Sequence, residues 1–433
     1  MKALGLDIGT TSISAVVFED SAGVLAARTV KNDSFLEGAP WERIQDPQKI
    51  RATAMAVVGE LLTAFPDVEA IGVTGQMHGI LYLNNQGEPV SPLYIWQDGR
   101  GSLPYNEHKS WADYLSEVTG YPLATGYGLV THAWNLRHGL VPEAAVKLCT
   151  IHDYLAMLFA GKTVPVTEPT DAASLGMYDL INHRFDPEAL KKAGIDPAIL
   201  PEVVSDPHLG CGEFGIPVFN AIGDNQASFL GATGGRTDVL LINMGTGGQI
   251  SVYSPEYLET NTLETRPFPE VGWLLVGASL CGGRSYALLE TFFRETVKMV
   301  TGEEVNAYEA MDRALENTTP ADIPVVSPLF QGTRKDPSLR GCITGLTPDN
   351  FTPVHLLQGL MQGMADELCG MYQGYLDKGG TAPAAMIGSG NGLRKNRHLC
   401  RVFEKTFGCP LILSHYQEEA ACGAAIYAAK HCK

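Results

Sequence analysis

Two segments of this chain carry the same short plan. MKALGLDIGTTSISAVVF opens it, and TDVLLINMGTGGQISVYS starts at residue 237. Each reads as an apolar strand, a Gly/Thr turn and a β-branched strand, with Gly9-Thr10 matched by Gly245-Thr246. One such hairpin is a common accident. Two, each opening one half of the chain, point to a duplicated α/β fold. A length of 433 residues also exceeds what one hydrophobic core usually serves, so two domains are expected. The Gly-rich stretch ATGGRT at 232–237 marks the boundary, giving domains over 1–232 and 233–433.

The local signals around the first hairpin are clear. KALGLDIG, SISAVVFED and VLAARTV form an antiparallel meander, joined at Gly9, Thr10 and Thr11 and at DSAG. Asp46 followed by Pro47 starts a helix. Ile50, Ala54, Val57, Val58 and Leu61 then recur on one helical face. VEAIGVTG reads as the next strand. Three strands before the first helix is not the order of a Rossmann domain. Between 100 and 210 the signals are mixed, with helices expected at SWADYLSEVTG and TIHDYLAMLFAG. Beyond the second hairpin, helices are expected over 284–300, 303–317, 353–378 and 395–407. A strand at PLILS and a last Ala-rich helix, EEAACGAAIYAAK, complete the chain.

Charge narrows the function. The formal net charge is −17, from 31 basic and 48 acidic residues, and the densest basic run is the short GLRKNRH at 392–398. Nucleic-acid binding is driven mainly by phosphate neutralisation, so this composition argues against it. A negative chain still binds an anion locally through backbone N–H groups and a metal ion. No apolar run approaches the length of a membrane span, and the N-terminus lacks the apolar core of a leader. The nine cysteines show neither CxxC nor zinc spacing and are read as free thiols in a reducing cytoplasm. The expectation is a cytoplasmic enzyme, monomer or homodimer, that acts on small molecules.

The chemistry-bearing residues fall into three groups. A tight Gly/Thr turn between strands aims N–H groups and hydroxyls at one point, which suits phosphate oxygens. Asp7 ends the strand before the first turn, where a carboxylate would hold Mg²⁺ directly or through water. MIGSGNG at 386–392 is a strand and a glycine turn that would approach a nucleotide. Gln76, Met77 and His78, in GVTGQMHG, and Trp96, Asp98 and Arg100, in YIWQDGR, offer the donors, acceptors and aromatic face that hold a polyol. A surface turn with an ion pair is the plainer account of YIWQDGR. Finally, Asp224 interrupts the apolar run AIGDNQASFLGA. It would accept the proton of a hydroxyl attacking a phosphoryl group. Capping the following helix is the simpler explanation.

Taken in order, LGLDIGTTS, GVTGQMHG, WQDGR, GDNQAS, NMGTGGQIS, GSGNG and EEAACGAA resemble the FGGY carbohydrate kinases over essentially the whole chain. Within that family, ATGYG, TIHDYLAMLFAG, DAASLGMYDL and GDNQASFL are most similar to the sedoheptulokinase branch. The resemblance implies a two-domain, actin-like (ribonuclease-H-like) ATPase fold with an interdomain cleft. It implies ATP and Mg²⁺ as cofactors and a small sugar as substrate, with sedoheptulose going to its 7-phosphate. Carried onto this sequence, Asp224 is the base, and Asp7 with Asp224 lies near the metal. Thr10, Thr11 and Ser12 form the first phosphate loop, and Gly245, Thr246 and Gly247 the second. Gly388, Gly390 and Asn391 form the adenosine loop. Gln76, Met77, His78, Trp96, Asp98, Asn225 and Gln226 line the sugar pocket. Gln226 departs from xylulokinases, which usually carry a small residue there, and Asn391 stands where Ala or Ser is more usual. The competing readings are a kinase for xylulose, ribulose or another polyol, and a non-catalytic sensor. The sensor reading is opposed by the presence of Asp7, both turns and Asp224 together.

Overall fold

The opening hairpin forms from β1 (Lys2–Ile8) and β2 (Ser12–Glu19), paired antiparallel from Lys2↔Glu19 to Ile8↔Ile13. β3 (Gly23–Lys31) continues the meander against β2. Helix α1 (Pro47–Ala64) begins as its sequence dictates: the Asp46 carboxylate accepts from the Gln48 and Lys49 amides, and Pro47 occupies the first turn. The chain then returns as β4 (Ala70–Gly75), parallel to β1 from Ala3↔Ala70 to Ile8↔Gly75. This computed structural model describes residues 1–269, 271–317, 321–333, 336 and 338–432.

The chain folds as two units. One comprises Met1–Gly235, Arg266–Gly272 and Tyr416–Lys433, and the other Arg236–Thr265 and Trp273–His415. Among the described residues, the first unit carries a seven-stranded sheet. It adds β5 (His208–Cys211), β6 (Pro217–Phe219) and β7 (Ile222–Gly223), in the order β5–β6–β4–β1–β2–β3, with β7 also paired to β4. Side chains alternate across the sheet. Leu4, Leu6 and Ile8 face a core shared with Ile50, Val57 and Leu61 of α1 and with Leu155 and Phe159 of α2 (Ile151–Phe159). Asp7 therefore lies on the opposite face, with Gly5.

The helix on that opposite face is the last one, Glu419–His431, and its composition explains why it sits there. A Cβ on Gly5 would lie 1.9 Å from the Ala421 carbonyl oxygen, and one on Gly72 2.0 Å from that of Ala424. Only a helix of small residues on a strand of glycines packs this closely. The same helix crosses a second one, residues 224–233, at Gly231 and Gly423, where an added Cβ would come within 1.8 and 1.7 Å of backbone oxygens. Sequence order places the Ala-rich helix last, in the second half of the chain. Its contacts place it in the first unit.

The second unit repeats the plan of the first. Its sheet joins β8 (Val239–Met244), β9 (Gly248–Ser254), β10 (Glu264–Pro267), β11 (Trp273–Ser279), β12 (Ala385–Ser389) and β13 (Leu411–Leu413) in the order β10–β11–β9–β8–β12–β13. The central strand β8 pairs antiparallel with β9 and parallel with β12, as β1 does with β2 and β4. Asn243 stands two residues before its turn glycine, the place Asp7 holds in the first unit. Among the described residues no helix is long and apolar enough to cross a membrane.

Candidate active site

In the first unit three strand ends converge. Ile8 of β1 and Gly223 of β7 both pair with Gly75 of β4, and the Thr74 hydroxyl donates to the Ile222 carbonyl at 2.6 Å. Helix α4 (Asp224–Thr233), preceded by α3 (Pro169–Leu175), starts at this junction. Its N-cap is Gly223, with no side-chain capping hydrogen bond. Capping therefore does not account for Asp224, which is the first helical residue. Burial raises its carboxyl above the usual range, while His152 and Arg266 pull it back. Asp7 is pushed up to about 7, first by burial and then by the charges of Asp224 and Glu418.

A wall of polar residues adjoins this junction. The Thr10 hydroxyl donates to Gln76 Oε1 at 3.0 Å, Gln76 Nε2 to Gln45 Oε1 at 2.8 Å, and Gln45 Nε2 to the Thr10 carbonyl at 2.8 Å. This closed ring ties the first Gly/Thr turn to the end of β4. Trp96, 44% exposed, donates its indole N–H to the Thr10 hydroxyl at 3.0 Å, which holds its ring beside the turn. Thr10 is thus engaged with Gln76 and Trp96, whereas Thr11 is exposed and Ser12 half-buried. Gln45 was missed in the sequence because nothing local distinguishes it.

His78 is held in an unusual backbone state, with φ of 73°. Its amide donates to Ser174 Oγ at 3.2 Å, and its Nδ1 lies 2.7 Å from the Ser174 carbonyl oxygen. An acceptor at that distance requires Nδ1 to carry the proton, so in the neutral ring the lone pair is on Nε2. The ring stacks on Tyr127 with centroids 4.7 Å apart and planes at 6°. Met77 is buried, and its side chain abuts Gly223, where a Cβ would meet its terminal methyl at 2.7 Å. The structure so brings Gln76, Met77, His78, Trp96 and Asp224 to one side of the first unit.

Asp98 does not join them. It is fully buried, and its oxygens accept from the Arg100 guanidinium, with Nε at 2.6 Å, and from the Arg43 amide at 3.0 Å. Arg100 is in turn stacked against Trp41, Tyr94 and Trp134. The sugar-pocket expectation for Asp98 is corrected: its acceptor capacity is taken by an arginine two residues on. Gln226 is likewise fully buried, and its amide donates to the Pro267 carbonyl at 2.8 Å. Asn225, half-buried, accepts from Arg266 Nη1 at 3.1 Å.

Beneath the junction lies a buried polar layer that sequence reasoning gave no role. Thr170 of α3 accepts from the Gly223 amide at 3.0 Å, and its own amide donates to Glu168 at 2.7 Å. His152 Nε2 lies 2.8 Å from Asp171 Oδ1, both side chains fully buried. Burial pushes His152 down and Asp171 well up, the latter helped by the Asp224 charge, so both favour their neutral forms. Burial likewise pushes Asp153 and Glu168 up to about 8. The motifs TIHDYLAMLFAG, read as a helix, and DAASLGMYDL, both singled out functionally by resemblance alone, supply His152, Asp153 and Asp171.

In the second unit the two expected nucleotide turns are neighbours. Gly245 and Thr246 are exposed at the end of β8. Their carbonyls accept from the amides of Gly283 and Arg284, at 2.8 and 3.1 Å, which anchors the start of helix α5 (Gly283–Thr301) on the turn. A Cβ on Gly282 would fall 2.2 Å from the Gly247 carbonyl, so only glycine permits this approach. Gly388 lies in β12 opposite Ile242, and Gly390 follows with φ of 80°, set against the Met244 carbonyl. Asn391 is exposed.

For a divalent cation the fit is partial. Among the described residues no group of three or more His, Cys, Asp or Glu is arranged to hold a metal. Asp7 and Asp224 raise each other's energy when both are ionised, a repulsion that a cation would relieve. Mg²⁺ commonly takes one or two carboxylates and completes its shell with water and phosphate oxygens, so this pair is compatible with it.

Comparison with known proteins follows the same lines. The model for the N-terminal domain of the FGGY family of carbohydrate kinases matches residues 2–234, and that for its C-terminal domain residues 240–432. A sedoheptulokinase of Homo sapiens is 29% identical, covering 98% of this chain and 96% of its own. A xylulose kinase of Streptomyces coelicolor is 27% identical, covering 98% and 87%. The crystal structure of a xylulose kinase from Rhodospirillum rubrum, 25% identical, superposes with a TM-score of 0.83 over 100% of this chain and 91% of that one.

Proposed function

The chain belongs to the FGGY family of carbohydrate kinases, ATP-using phosphotransferases of actin-like fold, and from that premise we propose that it phosphorylates the terminal hydroxyl of a ketose. Sedoheptulose is the substrate we assign, with its 7-phosphate as product. The observation that carries the reading is the junction of strand ends, where a half-buried Asp224 opens α4 directly after Gly223, against which Met77 packs, and where β4 runs on to the fixed ring of His78. The sedoheptulokinase relative, matched over nearly its full length, supports the choice of sugar.

The residues divide the work as follows. His78 Nε2 accepts a hydrogen bond from a ketose hydroxyl, and Trp96 offers its face to the carbon chain. Asn225 reads a further oxygen. Asp224 accepts the proton of the terminal hydroxyl as that oxygen bonds to the γ-phosphorus of ATP. The bond from phosphorus to the β,γ-bridging oxygen breaks and ADP leaves. The proton on Asp224 then passes to solvent. Late proton transfer is compatible with a carboxylate base when the transition state is dissociative. Mg²⁺ held by Asp7 and Asp224 would neutralise charge on the phosphates. Thr11 and Ser12, and in the second unit Gly245, Thr246 and Gly247, would contribute phosphate contacts. Gly388, Gly390 and Asn391 would pass beneath the nucleoside.

Asp224→Asn tests the base. Ketose-dependent ADP release should fall by about three orders of magnitude or more while ATP affinity stays near wild type. A variant with near-normal turnover would remove Asp224 from that role.

A further inference from the structure

We propose that Arg266 is a positioning residue for the ketose, fixing the Asn225 amide so that its NH₂ group is presented to a substrate oxygen. The inference rests on the kinase reading above. Its starting point is the segment Arg266–Gly272, which belongs to the first unit although its first two residues end β10 and the strand β11 follows it directly. Three contacts seat it against the first turns of α4. Arg266 Nη1 donates to Asn225 Oδ1 at 3.1 Å, Gln226 Nε2 donates to the Pro267 carbonyl at 2.8 Å, and Phe268 meets Phe229 edge-on at 5.8 Å. Gln226 and Phe268 are buried, so the seat is a packed one rather than a loose surface contact.

The chemistry follows from what each side chain offers. A guanidinium only donates, so the Asn225 atom facing it must be the carbonyl oxygen. That choice fixes the amide's orientation and turns Nδ2, with two N–H donors, away from Arg266. Asn225 directly follows Asp224, so the fixed amide belongs to the same helix start as the proposed base. A flexible amide would sample both orientations and read a hydroxyl or a keto oxygen with equal ease. A fixed one selects an acceptor. The planar guanidinium is better suited to this than a lysine, whose charge sits on a mobile stem. Arg266 is half-buried, which strengthens a charge-assisted hydrogen bond over its worth in open water.

The test is a double-mutant cycle on full-length protein with sedoheptulose and ATP, using Arg266→Met, Asn225→Ala and the double variant. Arg266→Met should raise the ketose KM by about ten-fold or more, the range for loss of a hydrogen bond to a charged group. KM for ATP should change less than about two-fold, and Arg266→Lys should recover part of the loss. The double variant should be no worse than the weaker single one, because both act through the same contact. Independent, multiplicative losses, or an unchanged ketose KM in Arg266→Met, would overturn the proposal. If Arg266→Met does not fold, the cycle is run with Arg266→Ala, which also removes the donor, and an unchanged ketose KM there has the same force. Asp224→Asn is run alongside. Wild-type turnover in that variant refutes the base assignment, whereas a null Asp224→Asn with an unchanged Arg266→Met refutes only the present inference.

Discussion

Glu168 is 5% exposed, and one carboxylate oxygen accepts from both the amide and the hydroxyl of Thr170. Its pKa of about 8, set first by burial, lies far above the value of about 4.3 expected for an unfolded chain. Between those values the folded protein holds a proton that the unfolded chain has lost, so stability falls as pH rises through the window and levels off above 8. Asp153, also near 8, adds in the same sense. His152 acts oppositely: held low by burial, it costs stability as pH falls below about 6.5. Unfolding measured between pH 6.5 and 8 isolates the carboxylates. We expect stability to decline by up to about 1.4 kcal/mol per pH unit for each group, and Glu168→Gln to remove its share of the slope. A rising stability curve, or an unchanged slope in the variant, would contradict this. At this scale the sequence was only partly legible. Asp224 stood out because it broke an apolar run. Glu168, His152 and Gln45 did not, because their partners are set by tertiary contacts. Asp98 was misread because a polar residue beside Trp96 looks the same whether it faces a ligand or an arginine two residues on.

The elements were easier to read. The meander, the Asp46–Pro47 helix start and the final Ala-rich helix all appear with bounds close to expectation, since each carries a strong local signal: β-branched alternation, a capping carboxylate, or helical spacing. What the local signals cannot give is partnership. The Ala-rich helix needs glycines on its neighbours, and those lie in β1, β4 and α4. This predicts opposite effects for two similar changes. Gly423→Ala drives a methyl into the Ala227 carbonyl at 1.7 Å and should destabilise the first unit by about 2–3 kcal/mol in denaturant unfolding. Gly59→Ala, in α1 with nothing within 4 Å of the new methyl, should stabilise by about 0.5–1 kcal/mol. A neutral Gly423→Ala would mean that the helices do not cross as closely as described.

For the whole molecule, the duplicated hairpin was the most informative sequence feature, because it fixes a central strand with an antiparallel neighbour on one side and a parallel one on the other in each unit. The two copies have diverged chemically: Asp7 in one is Asn243 in the other, and the first places its turn against Gln76 and Trp96 while the second anchors a helix start. One copy keeps a carboxylate where the other has an amide, as expected if proton and metal chemistry belong to the first unit and nucleoside contacts to the second. Membership of the FGGY kinases follows from the whole-chain match, but the sugar depends on a few side chains around Asp224. The most direct measurement is therefore ADP release with ATP and Mg²⁺ over a panel of ketoses and polyols, including sedoheptulose, D-xylulose, D-ribulose and glycerol. We predict sugar-dependent release with the highest kcat/KM for sedoheptulose. A higher value for D-xylulose would contradict the substrate assignment, and no stimulation by any sugar would contradict the kinase mechanism itself.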